Sequence, residues 1–184
     1  DQLDGGNGLD TVTGGLGNDT FDGDGFDLLL ESSDVNFTLT DSQLTGIGTD
    51  TLIDITRARL TGGASDNSFD ATAFTGRVTL QGNSGTDTLR LNGGGLTLDL
   101  TTLADNALTE IEIIDITGTG NNTLTLNLQE VLNLTSTSTT STLLVRNNNG
   151  DTVNFGIGWT QGADQTIDSV TYDIFTQGAA VLGI

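Results

Sequence analysis

Nine residues recur in tandem at the start of the chain, and that period limits the fold more tightly than any single residue does. Residues 5–13 read GGNGLDTVT and residues 14–22 read GGLGNDTFD. Both are complete matches to G-G-x-G-x-D-x-U-x, with Val12 and Phe21 as the large apolar U. A third copy, GDGFDLLL from Gly23, is one residue short. The opening DQLD fits the last four places of the same unit, with Asp1 as its Asp and Leu3 as its apolar residue. The chain is therefore expected to begin inside a repeat, with further copies before it.

Each G-G-x-G-x-D segment reads as a turn whose glycines let backbone carbonyls point inward, and each x-U-x as a short strand that buries U. Two units then make one full coil of a parallel roll, so that turns n and n+2 lie on the same side. Ca²⁺ takes about 6–8 oxygens in a flexible shell, and two neighbouring turns can offer carbonyls plus a carboxylate from each. Mg²⁺ demands a tighter octahedron and suits such a site less well. The candidate carboxylate ligands are Asp1, Asp10, Asp19 and Asp27, paired as Asp10 with Asp27 on one side and Asp1 with Asp19 on the other. The candidate turn glycines are Gly5, Gly6 and Gly8 in the first complete copy, Gly14, Gly15 and Gly17 in the second, and Gly23 and Gly25 in the third.

Downstream the unit decays but stays legible as TGIGTDTLI (45–53), GGASDNSFD (62–70), GNSGTDTLR (82–90) and TGTGNNTLT (117–125). Asp50 and Asp87 hold the Asp place without a clear neighbouring loop and stand as secondary metal candidates. Asn67 and Asn122 replace the Asp and read as turn or ladder residues. Between these copies FTLT (37–40), RVTL (77–80) and LTLDL (96–100) alternate apolar residues at period two, as strands do. A longer period shows as ITRARLTGG (55–63) recurring loosely as IEIIDITGTG (111–120). From about residue 105 the texture changes to short strand-like pieces with turn signals. There NLQEVLNL (127–134) is compatible with a helical turn, and the Ser/Thr run 135–142 reads as a loop by its low complexity, with an edge strand as the alternative.

Twenty-five acids against five Arg and no Lys leave a formal charge of −20, which repels nucleic acid and anionic lipid. Of the acids 21 are Asp, a residue of turns and metal loops. With no His and no Cys, Ser-His triads, thiol nucleophiles and most zinc sites are excluded. Carboxylate pairs drawn from Asp99, Asp105, Glu110, Glu112 and Asp115 could in principle cleave a glycoside, but at this acid density such spacings arise by chance. GIGTDT near Gly46 lacks the third glycine of a dinucleotide loop. Trp159 and Tyr172 read as packing residues before a sugar platform, and Arg57 and Arg59 as partners of nearby Asp or as a solvated face. A flat Thr array for ice or a crystalline polymer lacks a sustained register. No run approaches the ~18 apolar residues of a membrane span.

Residues 1–30 resemble the RTX calcium-binding repeats of bacterial proteins exported by type I secretion. The segment from IEIIDITGTGNNTLTLNLQEVLNL through TIDSVTYDIFTQGAAVL is similar to a C-terminal module of giant RTX adhesins and surface-layer proteins. It departs from the usual pattern at Asn147-Asn148-Asn149, where acidic or Gly residues are typical. The resemblance implies a chain secreted unfolded that folds on meeting extracellular calcium at the bacterial cell surface. The expected fold is all-β: a parallel β-roll at 1–36, degenerate parallel β-helix coils at 37–104 and a C-terminal β unit at 105–184 that caps the stack. The expected role is a non-catalytic, calcium-stabilised scaffold of adhesin type. The partners are calcium ions and either other copies of the chain or a cell-surface polymer, with no nucleic acid and no membrane insertion. A self-assembling surface-layer or filament subunit, and the non-catalytic tail of a secreted polysaccharide-active enzyme or protease, are the alternatives.

Overall fold

The computed structural model describes residues 1–135 and 141–184, and the chain divides into two compact units, Asp1–Arg90 and Leu91–Ile184. Strands dominate both, and most of them pair in parallel.

In the first unit the strands are β1 (Gln2–Asp4), β2 (Thr11–Val12), β3 (Thr20–Asp22), β4 (Leu28–Ser32), β5 (Phe37–Thr40), β6 (Gln43–Thr45), β7 (Thr49–Ile53), β8 (Arg57–Thr61), β9 (Ser68–Ala73), β10 (Arg77–Gln81) and β11 (Thr88–Arg90). Successive strands of the repeat region fall in two different sheets. β1 pairs in parallel with β3 and β3 with β7, while β2 pairs with β4, β4 with β8 and β8 with β10. The register follows the text of the repeat. Leu3 faces Phe21, eighteen residues on, whereas Val12 faces Leu29, seventeen on, because the third copy is one residue short. The U residues Val12, Phe21 and Leu29 are buried, as the period requires.

Between β4 and β8 the parallel order is interrupted. β5, β6 and β7 form an antiparallel meander, with Leu39 opposite Leu44 and Thr45 opposite Thr49. Within the segment 45–50, read from sequence as a degenerate repeat copy, residues 46–48 are the loop of the β6–β7 hairpin, and Asp50 lies in β7 opposite Leu44. Gly46 has φ of +145°, a positive value that favours glycine, though not the +77° and +74° that Gly6 and Gly15 adopt at the same place in the repeat. β9 then pairs in parallel with β5 and with β11. Within 55–63, β8 pairs in parallel with β10, where Arg57 faces Arg77 and Leu60 faces Leu80. The working period there is twenty residues.

The second unit carries β12 (Thr97–Asp99), β13 (Leu108–Thr109), β14 (Ile113–Asp115), β15 (Thr123–Thr125), β16 (Ser141–Arg146), β17 (Thr152–Asn154), β18 (Thr160–Gln161), β19 (Gln165–Ile167), β20 (Val170–Tyr172), β21 (Ile174–Gln177) and β22 (Ala180–Gly183). β12, β15 and β17 pair in parallel in one sheet, and β14, β16 and β22 in another. The end of the chain turns antiparallel through β22–β21–β18 and the β19–β20 hairpin. The helical turn expected at 127–134 is α1 (Leu128–Leu134). Asn127 caps it by accepting the amides of Gln129 at 2.7 Å and Glu130 at 3.3 Å, and Val131 and Leu134 are buried three residues apart. Of the Ser/Thr run read as a loop, residues 136–140 lie outside the described residues, and Ser141 and Thr142 begin β16. Tyr172 is core, packed with Ile113, Leu144 and Ile174. Trp159 meets Phe155 edge-on and donates its indole N–H to the Phe155 carbonyl at 2.8 Å.

Candidate metal centre

The motif glycines divide their work. Gly6 and Gly15 have φ of +77° and +74°, and Gly8 and Gly17 have +128° and +124°, left-handed values that penalise any Cβ. The first glycine of each turn serves close approach. A Cβ on Gly5 would stand 2.6 Å from Asp27 Oδ2, one on Gly14 2.6 Å from Asp19 Oδ2, and one on Gly23 3.1 Å from Asp27 Oδ2. Asp27 Oδ2 therefore lies between the first glycines of two neighbouring turns.

The aspartates are linked in sequence by one recurring bond. The Asp10 amide donates to Asp27 Oδ1 at 2.9 Å, the Asp19 amide to Asp50 Oδ1 at 2.9 Å, and the Asp1 nitrogen to Asp19 Oδ1. Asp10 neighbours Asp27 and Asp1 neighbours Asp19, as the alternation of turns implies. Asp50 is not isolated, as its sequence suggested: β7 pairs with β3 and sets its turn against that of Asp19. Asp87 accepts the amide of Asn67 at 2.7 Å.

In Asp19, Asp27 and Asp50 the second oxygen stands apart from the first. Oδ2 of Asp19, Asp27 and Asp50 is buried with no hydrogen-bond partner, and the three residues are 4%, 0% and 1% exposed. A bare buried carboxylate oxygen costs several kcal/mol, on the order of 3–5 for an uncompensated charge. No arginine relieves it: Arg57, Arg59, Arg77 and Arg90 are all exposed, Arg57 reaching the Phe26 carbonyl and Arg59 the Gln81 side chain. Burial pushes the Asp50 carboxyl above its ordinary range, and the charge of Asp19 adds to this against the pull of the Asp19 amide.

Asparagine at the equivalent place closes the turn by itself. Asn122 is fully buried, its Oδ1 accepts the Leu96 amide at 2.9 Å, and its Nδ2 donates to the Gly93 and Ile116 carbonyls at 3.1 and 3.0 Å. Asn67 donates Nδ2 to Asp34 at 3.1 Å and accepts the Gly63 amide at 2.6 Å. Asp151 is closed differently, with Oδ1 taking the Asn122 amide and Oδ2 the Asn148 amide, both at 2.8 Å. At the 147–149 turn, where the asparagines replace the usual acids, both carboxylate oxygens are thus already occupied.

Hard oxygens, carboxylate pairs and glycine turns that bare their carbonyls are the donor set Ca²⁺ takes. Among the described residues no three acidic side chains converge as a ready cluster, so any shell at these turns draws its remaining oxygens from the backbone. Two participants carry little sequence signal. Glu31, 2% exposed, accepts the amides of Gly14 at 2.6 Å and Gly15 at 3.3 Å. Burial raises its pKa, opposed by those two amides, and the charges of Asp50 and Asp19 raise it further. Asp34 is held below its ordinary pKa, chiefly by the Ser65 amide. Parity along β4 would have found Glu31, two residues after buried Leu29. Nothing local announces Asp34.

Two of the acids considered for glycoside chemistry hold local turns. Asp99 and Asp115 each accept the backbone amide and hydroxyl of the threonine two residues on. No helix of the described residues is long and apolar enough to cross a membrane. No protein-family model matches the chain, and comparison with curated proteins and with solved structures gives no match.

Proposed function

We propose that this chain is a calcium-stabilised structural module of a secreted bacterial cell-surface protein, of adhesin-scaffold type, in which residues 1–36 wind as a parallel β-roll. The observation that carries the reading is Asp27 Oδ2, buried between Gly5 and Gly23 without a partner, at the turn position where Asn122 supplies its own N–H donor. A cation is the simplest group that relieves such an oxygen without changing the side chain. The register of β1 on β3 and β2 on β4 sets Asp1 beside Asp19 and Asp10 beside Asp27, as two ions shared between neighbouring turns require. The net charge of −20 opposes compaction until divalent ions neutralise the internal carboxylates. Extracellular calcium modules bind at about 10⁻⁴–10⁻³ M, empty inside a cell and filled outside. At ten times its Kd each such ion adds about 1.4 kcal/mol to stability.

The test is a calcium titration of the purified chain followed by far-ultraviolet circular dichroism, beside an Asp10→Ala, Asp27→Ala variant. The reading expects β signal to grow with millimolar calcium and the variant to need more of it. Equal β signal in chelator and in calcium for both proteins refutes it.

A further inference from the structure

We propose that Asn149 is a site of spontaneous modification, where the backbone nitrogen of Gly150 closes on the side-chain amide and converts the residue to aspartate or isoaspartate. Asparagine followed by glycine is the pair most open to this ring closure, because glycine puts no Cβ in the path of its own nitrogen. The chain holds three such pairs, Asn7-Gly8, Asn92-Gly93 and Asn149-Gly150. The fold treats them differently.

Asn149 and Gly150 are the two central residues of a tight turn. The Asp151 amide donates to the Asn148 carbonyl at 3.1 Å, and the Asn148 amide donates to Asp151 Oδ2 at 2.8 Å, so the flanking residues are tied to each other. Gly150 has φ of +106°, in the positive region that the third residue of such a turn can require of glycine. A turn closed this way leaves the amide of its third residue out of the bonding. Among the described residues neither the Gly150 N–H nor the Asn149 side chain makes a hydrogen bond, and both residues are exposed. The nucleophile and the amide it attacks are thus adjacent, free and in contact with solvent.

The other two pairs are held. The Gly8 N–H donates to Asp24 Oδ2 at 3.0 Å, a bond to a carboxylate that must break before the nitrogen can attack. A hydrogen bond to a charged acceptor slows ring closure at Asn7 by about tenfold or more. Gly93 is half-buried, its carbonyl accepts Asn122 Nδ2 at 3.1 Å, and its nitrogen is packed so closely that a Cβ on Gly118 would stand 2.8 Å away. Asn92 is itself engaged.

The chemistry balances with water alone. The Gly150 nitrogen bonds to Asn149 Cγ, the Cγ–Nδ2 bond breaks, and ammonia leaves with the former amide proton. Water then opens the succinimide at the side-chain carbonyl to give aspartate, or at the backbone carbonyl to give isoaspartate. The first product adds a negative charge, and the second lengthens the backbone by one carbon inside the turn. That turn leads into β17: the Thr152 amide donates to the Asn122 carbonyl and the Asn122 amide to Asp151 Oδ1, both at 2.8 Å, where β17 starts beside β15.

Trypsin cuts this chain only after arginine, since it has no lysine, and complete digestion places the three pairs on the separate peptides 1–57 (after further cleavage at no internal site), 91–146 and 147–184. The experiment ages the full chain at mildly alkaline pH in millimolar calcium, with circular dichroism reporting folding, and a second sample in urea, then weighs the peptides. In the folded chain 147–184 is expected to gain the mass of amide-to-acid conversion about tenfold faster than 1–57. It is also expected to become a substrate for isoaspartyl methyltransferase. In urea the two peptides are expected to convert at similar rates, and Asn149→Asp is expected to lose the fast mass gain. Conversion of 147–184 no faster than that of 1–57 in the folded chain overturns the proposal. So does a tenfold gap that persists in urea, or an Asn149→Asp chain that gains mass as fast as the wild type.

Discussion

The backbone amide of Asp10 lies 2.9 Å from Oδ1 of Asp27, seventeen residues on, while the other oxygen of Asp27 is buried and has no partner. One half of the carboxylate holds the neighbouring turn, and the other half is left without a hydrogen bond. This division of labour within a single side chain gives the first prediction.

Asp27→Asn replaces the bare oxygen by a donor of nearly the same size, as Asn122 shows in the second unit. In chelator the variant is expected to be more stable than the wild type by about 1–3 kcal/mol, the cost of an unsatisfied buried polar group. In saturating calcium the order reverses, because the variant has surrendered a ligand. Thermal melts in both buffers measure this, and a variant less stable in both shows that Oδ2 was costing nothing.

The reverse exchange, Asn122→Asp, sets a carboxylate oxygen against the Gly93 and Ile116 carbonyls. The expected loss is about 3 kcal/mol in chelator, the lower end of the cost of an uncompensated buried charge. Calcium is expected to recover part of it if the turn can accept an ion. Denaturant midpoints with and without calcium are the readout, and a loss below about 0.5 kcal/mol means the side chain turns out to solvent.

Gly14→Ala places a methyl 2.6 Å from Asp19 Oδ2 and 2.7 Å from Phe21 Cζ. Overpacking of this kind costs about 1–3 kcal/mol, and here it also pushes a ligand out of place. The half-saturation point for calcium should rise together with the fall in stability. Gly93→Ala, whose added methyl meets only the end of the Leu96 side chain at 3.0 Å, is the comparison and should leave calcium binding unchanged. Equal calcium affinity for Gly14→Ala and the wild type would separate the glycine from the ion.

Glu130 tests charge away from the aspartate turns. Burial raises its pKa above the ordinary 4.5, and the charges of Asp105 and Asp99 raise it further. A folded pKa above the unfolded one means the stabilising contribution is fully present below about pH 4.5 and is lost as pH rises through the folded value. Glu130→Gln should therefore be more stable than the wild type at pH 7 and equal to it near pH 4. Urea midpoints at the two pH values decide, and an identical difference at both assigns the effect to something other than titration.

Much of the first unit could be read before any coordinates. A period of nine predicts strands that alternate between two sheets, and the missing residue of the third copy appears as a register of seventeen beside one of eighteen. At 127–134 the sequence was compatible with one helical turn, and α1 occupies Leu128–Leu134 there. What could not be read is informative in its own way. G-I-G-T-D fits a repeat turn and a hairpin loop alike, because both place a glycine at positive φ, so 45–50 was ambiguous at the level of residues. Pairing across long separations was also hidden. Asp34 meets Asn67 thirty-three residues away, and Asp50 meets Asp19 only because the meander brings β7 back beside β3.

That meander has a consequence for counting. Going through the sheet from Asp1 to Asp19 to Asp50, the next residue across is Leu44, on a strand that runs the other way. Leu44 is wholly buried and offers neither a carboxylate nor a turn carbonyl in that place. The series of acids is thus terminated from within, as a crystal face is poisoned by a molecule that fits the last layer and refuses the next. Beyond Asp50 the row of aspartates on this side ends at a leucine.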